Sequence, residues 1–323
     1  MVLSSFSSLK SILTIPPAGL AVACLLALAS FSAGEDSPAR GEKQSPRPSD
    51  AASDSPEGVA DVAFVPSYNL TFVERDGKPL KADVYVPRGE GPFPAIMLVH
   101  GGAWAAGSKS NCFWHAKYFA ERGYTAVAIS YRLAPQAKFP AQIEDCRAAL
   151  RWMRREADKF KIDPARIGGY GYSAGGHLVS LLATAEADAD WPRDEVAKDA
   201  PSARLQAVAA GGAPVDFTAL PVKSDFLAYF LGGTRAQMPD RYRIASPLTH
   251  VTRDDPPFFF FHGENDLLVP KEGIERMSAK LKDAGVESEI QIIGKVEHIG
   301  AFLSPRALGL TADFFDRTLK AKK

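Results

Sequence analysis

A mostly parallel, doubly wound α/β sheet, with helices on both faces and a small helical cap, is the fold class this sequence predicts. Three observations carry it. Continuous apolar runs of strand length recur along the chain, segments of helical periodicity separate most of them, and residues 214–250 break that rhythm. Strands buried on both faces lose the apolar/polar alternation of half-exposed strands. Strands alternating with helices build parallel sheets covered on either side.

The elements begin after a distinct amino-terminal stretch. Lys10 precedes the apolar run 18–29, and the small residues Ser30 and Ser32 follow it. That is the layout of a secretory signal cleaved near Ser32, with an apolar core short for a membrane span; an uncleaved anchor is the alternative reading. Cys24 belongs to this run. Residues 33–58 are rich in Ser, Pro, Asp and Glu with scarcely an aromatic, a composition that cannot bury enough surface to order itself. The sequence therefore divides into a signal at 1–32, a disordered linker at 33–58 and one folded domain at 59–323.

Within that domain, residues 68–73 and 81–86 read as an antiparallel opening pair around the turn Asp76-Gly77. Buried strands follow at 95–99, 125–129, in the run that ends before Ser173, and at 205–210, 258–261 and 289–293. Helices are expected at 109–122, 141–160, 175–185, 271–284 and 305–319. Segment 214–250 carries Phe217, Leu220, Phe226, Leu227, Tyr229, Phe230 and Leu231, the content of short helices covering the top of the sheet.

Composition removes several function classes. With 38 basic and 38 acidic residues the chain has no net charge, so nothing favours nucleic acid as a partner, nor a membrane beyond the signal segment. Oligomeric state is not fixed by the sequence. Beyond the signal only Cys112 and Cys146 are left, which allows one disulfide; Cys146 falls in the helical apolar series Ile143, Cys146, Leu150, Met153 and reads better as a buried thiol.

The chemistry concentrates at the ends of the apolar runs. Gly171-Tyr172-Ser173-Ala174-Gly175 lies between such a run and a helix-like segment, the setting of a nucleophile elbow. Two other readings fit the same residues: a plain glycine-rich loop, and a degenerate dinucleotide fingerprint, Gly169-x-Gly171-x-x-Ala174. The second needs an acid at the end of the next strand, whereas residues 186–190 are acidic without a strand before them.

His100-Gly101-Gly102-Ala103-Trp104 follows the run 95–99, and its glycines let backbone N–H groups converge on an oxyanion. After the run 258–261 come two carboxylates, Glu264 and Asp266. Asp266 is better placed to hold an imidazole, because the chain needs a few residues to return over the sheet edge. His298, between the run 289–293 and the last helix, is the imidazole whose position fits, and the order serine, acid, histidine is the order hydrolase sheets use.

These residues resemble the α/β-hydrolase fold, and within it the esterases similar to hormone-sensitive lipase and the bacterial feruloyl/acetyl-xylan esterase-like group. The resemblance spans residue 68 to the C-terminus. It rests on the elbow, the His100 loop, Tyr131-Arg132-Leu133-Ala134-Pro135, Phe139-Pro140-Ala141-Gln142-Ile143-Glu144-Asp145-Cys146, Asp163-Pro164-Ala165-Arg166-Ile167, Ser246-Pro247-Leu248-Thr249-His250 and the stretch from His262 to Pro270. It implies Ser173 as nucleophile, Asp266 and His298 as its partners, and backbone donors from Gly102, Ala103 and Ala174.

Two departures stand out. The lipase-like His-Gly-Gly-Gly is here His-Gly-Gly-Ala, resembling the loop of carbohydrate esterases and kynurenine formamidases. Tyr172 stands where lipase-like members commonly carry an acid. The Tyr131-Arg132 pair and Asp145 read as structural.

The expected activity is a secreted serine hydrolase of carboxylic esters, working through an acyl-enzyme without metal or organic cofactor. Its expected substrates are small-molecule or polysaccharide esters, with acetyl or feruloyl groups favoured. Amide hydrolysis of the formamidase kind, short-chain lipid or aryl ester hydrolysis, and an inactive hydrolase-fold binding protein are the alternatives. Trp104, Phe226 and Tyr229 are the expected substrate contacts, with Trp114 a further aromatic candidate for the pocket wall.

Overall fold

The apolar runs become the strands of one eight-stranded sheet in the order β1-β2-β4-β3-β5-β6-β7-β8. The protein is seen here as a computed structural model that describes residues 63–185 and 200–320. The expected signal and linker lie outside the described residues, as do the first four residues expected of the domain, residues 186–199 and the last three.

The strands are β1 (Phe64–Arg75), β2 (Lys78–Pro87), β3 (Phe93–Val99), β4 (Thr125–Ile129), β5 (Ile162–Tyr172), β6 (Ala207–Gly211), β7 (Phe258–Gly263) and β8 (Ser288–Ile293). β1 and β2 pair antiparallel, joined at the expected turn, where Asp76 and Gly77 both take positive φ of 51° and 70°. Such a turn matches the twist of the strands it joins. β2 also meets β4 antiparallel, and every later pairing is parallel.

The helices are α1 (Phe113–Glu121), α2 (Ala141–Arg155), α3 (Ala174–Thr184), α4 (Ala228–Leu231), α5 (Pro239–Ile244), α6 (Glu272–Asp283), α7 (His298–Phe302) and α8 (Pro305–Leu319). The helix expected at 109–122 opens instead as a 3-10 turn, Lys109–Cys112, capped by the Ser108 side chain. The helix expected to reach residue 160 stops at Arg155, because Ala157 and Phe160 must turn inward and hand the chain to β5 at Ile162. Helix α7 was not legible, since five residues are too few to show a period.

Alternation along β3 divides the core between the two faces. Met97 and Val99 point to the side packed by Ile143 and Leu150 of α2 and Leu178 and Leu182 of α3. Ile96 and Leu98 point to the side of Phe119 from α1 and Phe315 from α8. Cys112 and Cys146 are buried as free thiols, and their side chains belong to different faces of the sheet. Asp145 is fully buried and accepts from the backbone and guanidinium of Arg132 and from Arg75, so the Tyr131-Arg132 region is structural here.

Strand order reverses around β3. The chain moves from β3 to β4 on one side and to β5 on the other. A crevice opens at such a switch point, outside the carboxyl ends of the strands. The His100 loop leaves β3 there, and Ser173 leaves the neighbouring β5, with Val99 and Gly171 in register.

Candidate active site

Ser173 sits at φ 55° and ψ −121°, between the last residue of β5 and the first of α3. A side-chain-bearing residue rarely adopts such a backbone, which costs on the order of 1–3 kcal/mol and is kept where a site over-determines it. Close packing enforces the bend. A Cβ on Gly175 would lie 2.0 Å from the Val99 carbonyl oxygen, and one on Gly171 would lie 2.3 Å from the Gly175 backbone. Ala174, as the first residue of α3, carries one of the N–H groups that helix geometry leaves without an internal partner.

The His100 loop folds against this bend. Gly102 takes φ 110°, and Ala103 and Trp104 take 50° and 58°, a run of left-handed residues that turns the loop sharply. The Gly102 carbonyl accepts from the N–H groups of Ala105 and Ala106. Tyr131 stacks on His100 at 4.2 Å and donates its hydroxyl to the His100 carbonyl. Burial pushes the His100 imidazole down to about 4, so it is neutral at pH 7.

Trp104 is buried. Its ring stacks on Phe230 at 4.3 Å, and its indole N–H reaches Nδ1 of His177 at 3.1 Å. The other His177 nitrogen lies 2.7 Å from the Ala245 carbonyl. One tautomer satisfies both contacts, with the proton on Nε2, and burial lowers His177 to about 4, keeping it neutral.

Asp266 and His298 leave the neighbouring strands β7 and β8. Asp266 Oδ1 accepts from the N–H groups of Leu268 and Val269, both at 2.9 Å, and Oδ2 lies 2.6 Å from His298 Nδ1. His262 is buried beside them, with Nε2 at 2.8 Å from the Val269 carbonyl and 3.3 Å from Asp266 Oδ2. Burial pulls the Asp266 carboxyl upward. The His298 hydrogen bond and charge outweigh that and hold it below its ordinary value. The rival Glu264 accepts from the Lys295 N–H and does not meet His298.

Since Nδ1 faces a carboxylate, Nε2 is left as the basic nitrogen of His298. It is buried and has no hydrogen-bond partner among the described residues. Ser173, His298, Gly102, Ala103 and Trp104 line one cleft of about 740 Å³, and Asp266 stands behind His298. Its walls also take Val215, Phe217 and Leu220 from the cap, Leu268 and Val269 from the Asp266 loop, and Ile299 and Phe302 from α7.

Phe226 and Tyr229 line the cleft as well, with Phe226 part-exposed. The Tyr229 hydroxyl is occupied, donating to the Ala103 carbonyl at 2.8 Å, so this side chain holds the loop as well as forming a wall. Trp114 does not belong to the cleft. It is 71% exposed on α1 and is not among the residues that line the cleft. The sequence also overlooked Asp216 at the rim, paired with Arg276 at 2.9 Å.

The model of the BD-FAE family matches residues 82–281, which takes in the His100 loop, the elbow and Asp266. The chain belongs to the BD-FAE family. His298 and α8 lie beyond the matched span.

Among curated relatives, the probable carboxylic ester hydrolase LipM of Mycobacterium tuberculosis is 36% identical over 187 residues, 56% of this chain and 43% of LipM. Esterase LipQ of the same organism is 32% identical over 198 residues, 59% of this chain and 46% of LipQ. The chain thus spans about half the length of the curated relatives it matches. Among solved structures, a truncated carbohydrate esterase from gut microbiota has a TM-score of 0.72 at 23% identity, covering 82% of this chain and 100% of that one, a likeness of fold. The propionate-bound thermophilic esterase Est2 of Thermogutta terrifontis has a TM-score of 0.68 at 25% identity, with 79% and 96% covered. The α/β-hydrolase fold expected from the motifs is therefore the fold of this chain.

Proposed function

We propose that this protein is a serine hydrolase of carboxylic esters, with Ser173, His298 and Asp266 as its triad. The observation that carries the reading is the strained Ser173 backbone at the mouth of a cleft shared with an imidazole whose Nδ1 is held by Asp266. Ser173 Oγ attacks the ester carbonyl while His298 Nε2 accepts its proton. Backbone N–H groups of Gly102, Ala103 and Ala174 stabilise the oxyanion, each such donor being worth about 3–4 kcal/mol in the transition state. The tetrahedral intermediate collapses, and His298 returns the proton to the departing alcohol. Water, activated by the same nitrogen, then releases the acid from the acyl-enzyme.

The cleft has the size of pockets that hold drug-sized ligands, and it is far larger than an acetyl group. Trp104, Phe217, Phe226, Leu227 and Tyr229 give it aromatic and aliphatic walls. Among the polysaccharide esters expected from the sequence, these walls favour the aromatic feruloyl group over acetyl. The names of LipM and of the thermophilic esterase Est2 support ester hydrolysis.

A fluorophosphonate probe should label the wild type and fail on Ser173→Ala. Labelling that survives the substitution would sink the assignment. A rate panel of methyl ferulate, acetylated xylan, nitrophenyl esters of rising chain length and N-formylkynurenine then sorts the acyl group. The ferulate ester is expected to lead, and a strong preference for long chains or for the formamide would remove the polysaccharide reading.

Export is part of the same proposal, on the layout of residues 1–32. Amino-terminal sequencing of the mature protein should find a start close after Ser32; a protein that keeps those residues contradicts it.

A further inference from the structure

The residue before the nucleophile has a role that the motif does not assign. Tyr172 is the last residue of β5, and its hydroxyl donates to the main-chain carbonyl of His298. Its ring centroid lies 5.0 Å from the His298 ring, and it packs on Phe261 and Phe302. To get there it crosses two strands, because β6 and β7 separate β5 from β8.

Two glycines clear the path. A Cβ on Gly211, at the end of β6, would stand 2.5 Å from the Tyr172 ring and 2.2 Å from that of Phe261. A Cβ on Gly212 would stand 2.8 Å from the Tyr172 hydroxyl oxygen and 2.9 Å from His298 Cε1. The two backbones below are tied as well, Ser173 N–H donating to the Gly211 carbonyl and Gly212 N–H to that of Phe261.

At the receiving end, His298 is the first residue of a five-residue helix with no side-chain cap at its N-terminus. A helix so short has little stability of its own. The Asn265 N–H holds the preceding Val296 carbonyl, yet on His298 itself the tyrosine bond is the contact from the nucleophile's strand.

We infer that Tyr172 is a positioning residue for His298: its hydroxyl, passing over Gly211 and Gly212, fixes the base relative to the nucleophile one residue away. The inference rests on the triad reading above. It concerns the backbone of His298, whereas Asp266 controls the ring.

The test compares wild type, Ser173→Ala, Tyr172→Phe and Phe261→Leu on nitrophenyl butyrate, with melting temperature and the downfield proton resonance of the His298–Asp266 hydrogen bond recorded for each. Misplacing a reacting group by about 1 Å costs roughly a hundredfold. Tyr172→Phe, which keeps the ring, should therefore lower kcat by about ten- to a hundredfold, hold KM within about twofold, and shift or broaden the resonance at nearly unchanged melting temperature. Phe261→Leu loosens the same packing but spares the hydroxyl. It should lower the melting temperature and keep kcat within about threefold.

Wild-type kcat with an unchanged resonance in Tyr172→Phe overturns the inference. So does an equal loss of kcat in Phe261→Leu, since packing would then account for both. Activity persisting in Ser173→Ala overturns the triad reading and this inference with it. Its loss there, beside wild-type kcat in Tyr172→Phe, overturns this inference alone.

Discussion

Asp266 spends its two oxygens on different tasks. Oδ1 takes two backbone N–H groups and so fixes the carboxylate plane, while Oδ2 faces the imidazole. In Asp266→Asn the two N–H donors would keep the amide oxygen on their side, turning the NH₂ toward His298 Nδ1. A donor cannot satisfy a donor. His298 would move its proton to Nε2, leaving no lone pair for Ser173. In a serine protease with an established Ser-His-Asp triad the same change costs about 10⁴ in kcat while the geometry survives. The same loss is expected here, read as steady-state kcat on a nitrophenyl ester with melting temperature as control; a loss below tenfold would show that Asp266 does not set the tautomer.

At the scale of elements, the elbow depends on how closely α3 approaches β3. The Gly175 position leaves no room for a methyl group against the Val99 carbonyl, and backbone on both sides cannot give way as a side chain tip would. Gly175→Ala should destabilise the fold by about 3 kcal/mol or more, measured by urea denaturation, the range of severe overpacking. A loss under about 1 kcal/mol would mean that the helix can slide. Strands were the most legible elements, since runs such as 95–99 and 258–261 are unbroken and buried on both faces. Ser173, Asp266 and His298 were legible because each follows a strand-like segment, although the one before His298, β8, is an edge strand that is only partly buried and not the fully buried strand its residues suggested. The cleft walls were not. They gather residues from the cap, from two strand-end loops and from α7, and no local pattern records that they meet. Tyr172 stood out in the sequence as an unusual neighbour of the serine, but the carbonyl it reaches lies 126 positions away.

Across the whole molecule, buried histidines set a direction for pH dependence. Burial lowers His100, His115 and His177 from 6.5 to about 4. An unfolded chain takes up protons near 6.5 that the folded one refuses, so stability is greatest above that pH and falls as pH drops from 6.5 toward 4. Each group contributes on the order of 3 kcal/mol to the loss. Asp266 works in the same sense at lower pH: its depressed folded value means that its contribution is present above the ordinary carboxylate range and disappears as pH falls through the folded value. Urea midpoints should therefore drop steeply between pH 7 and pH 4.5. A flat profile would mean that these imidazoles reach water in the native state.

The two glycines beneath the Tyr172 ring also limit how the site can be rebuilt. The segment carrying His298 is fitted to a tyrosine from another strand and to bare backbone on a third. Grafting that segment onto a related scaffold would transplant a lock without its key, unless positions 172, 211 and 212 travel with it as one inheritable unit.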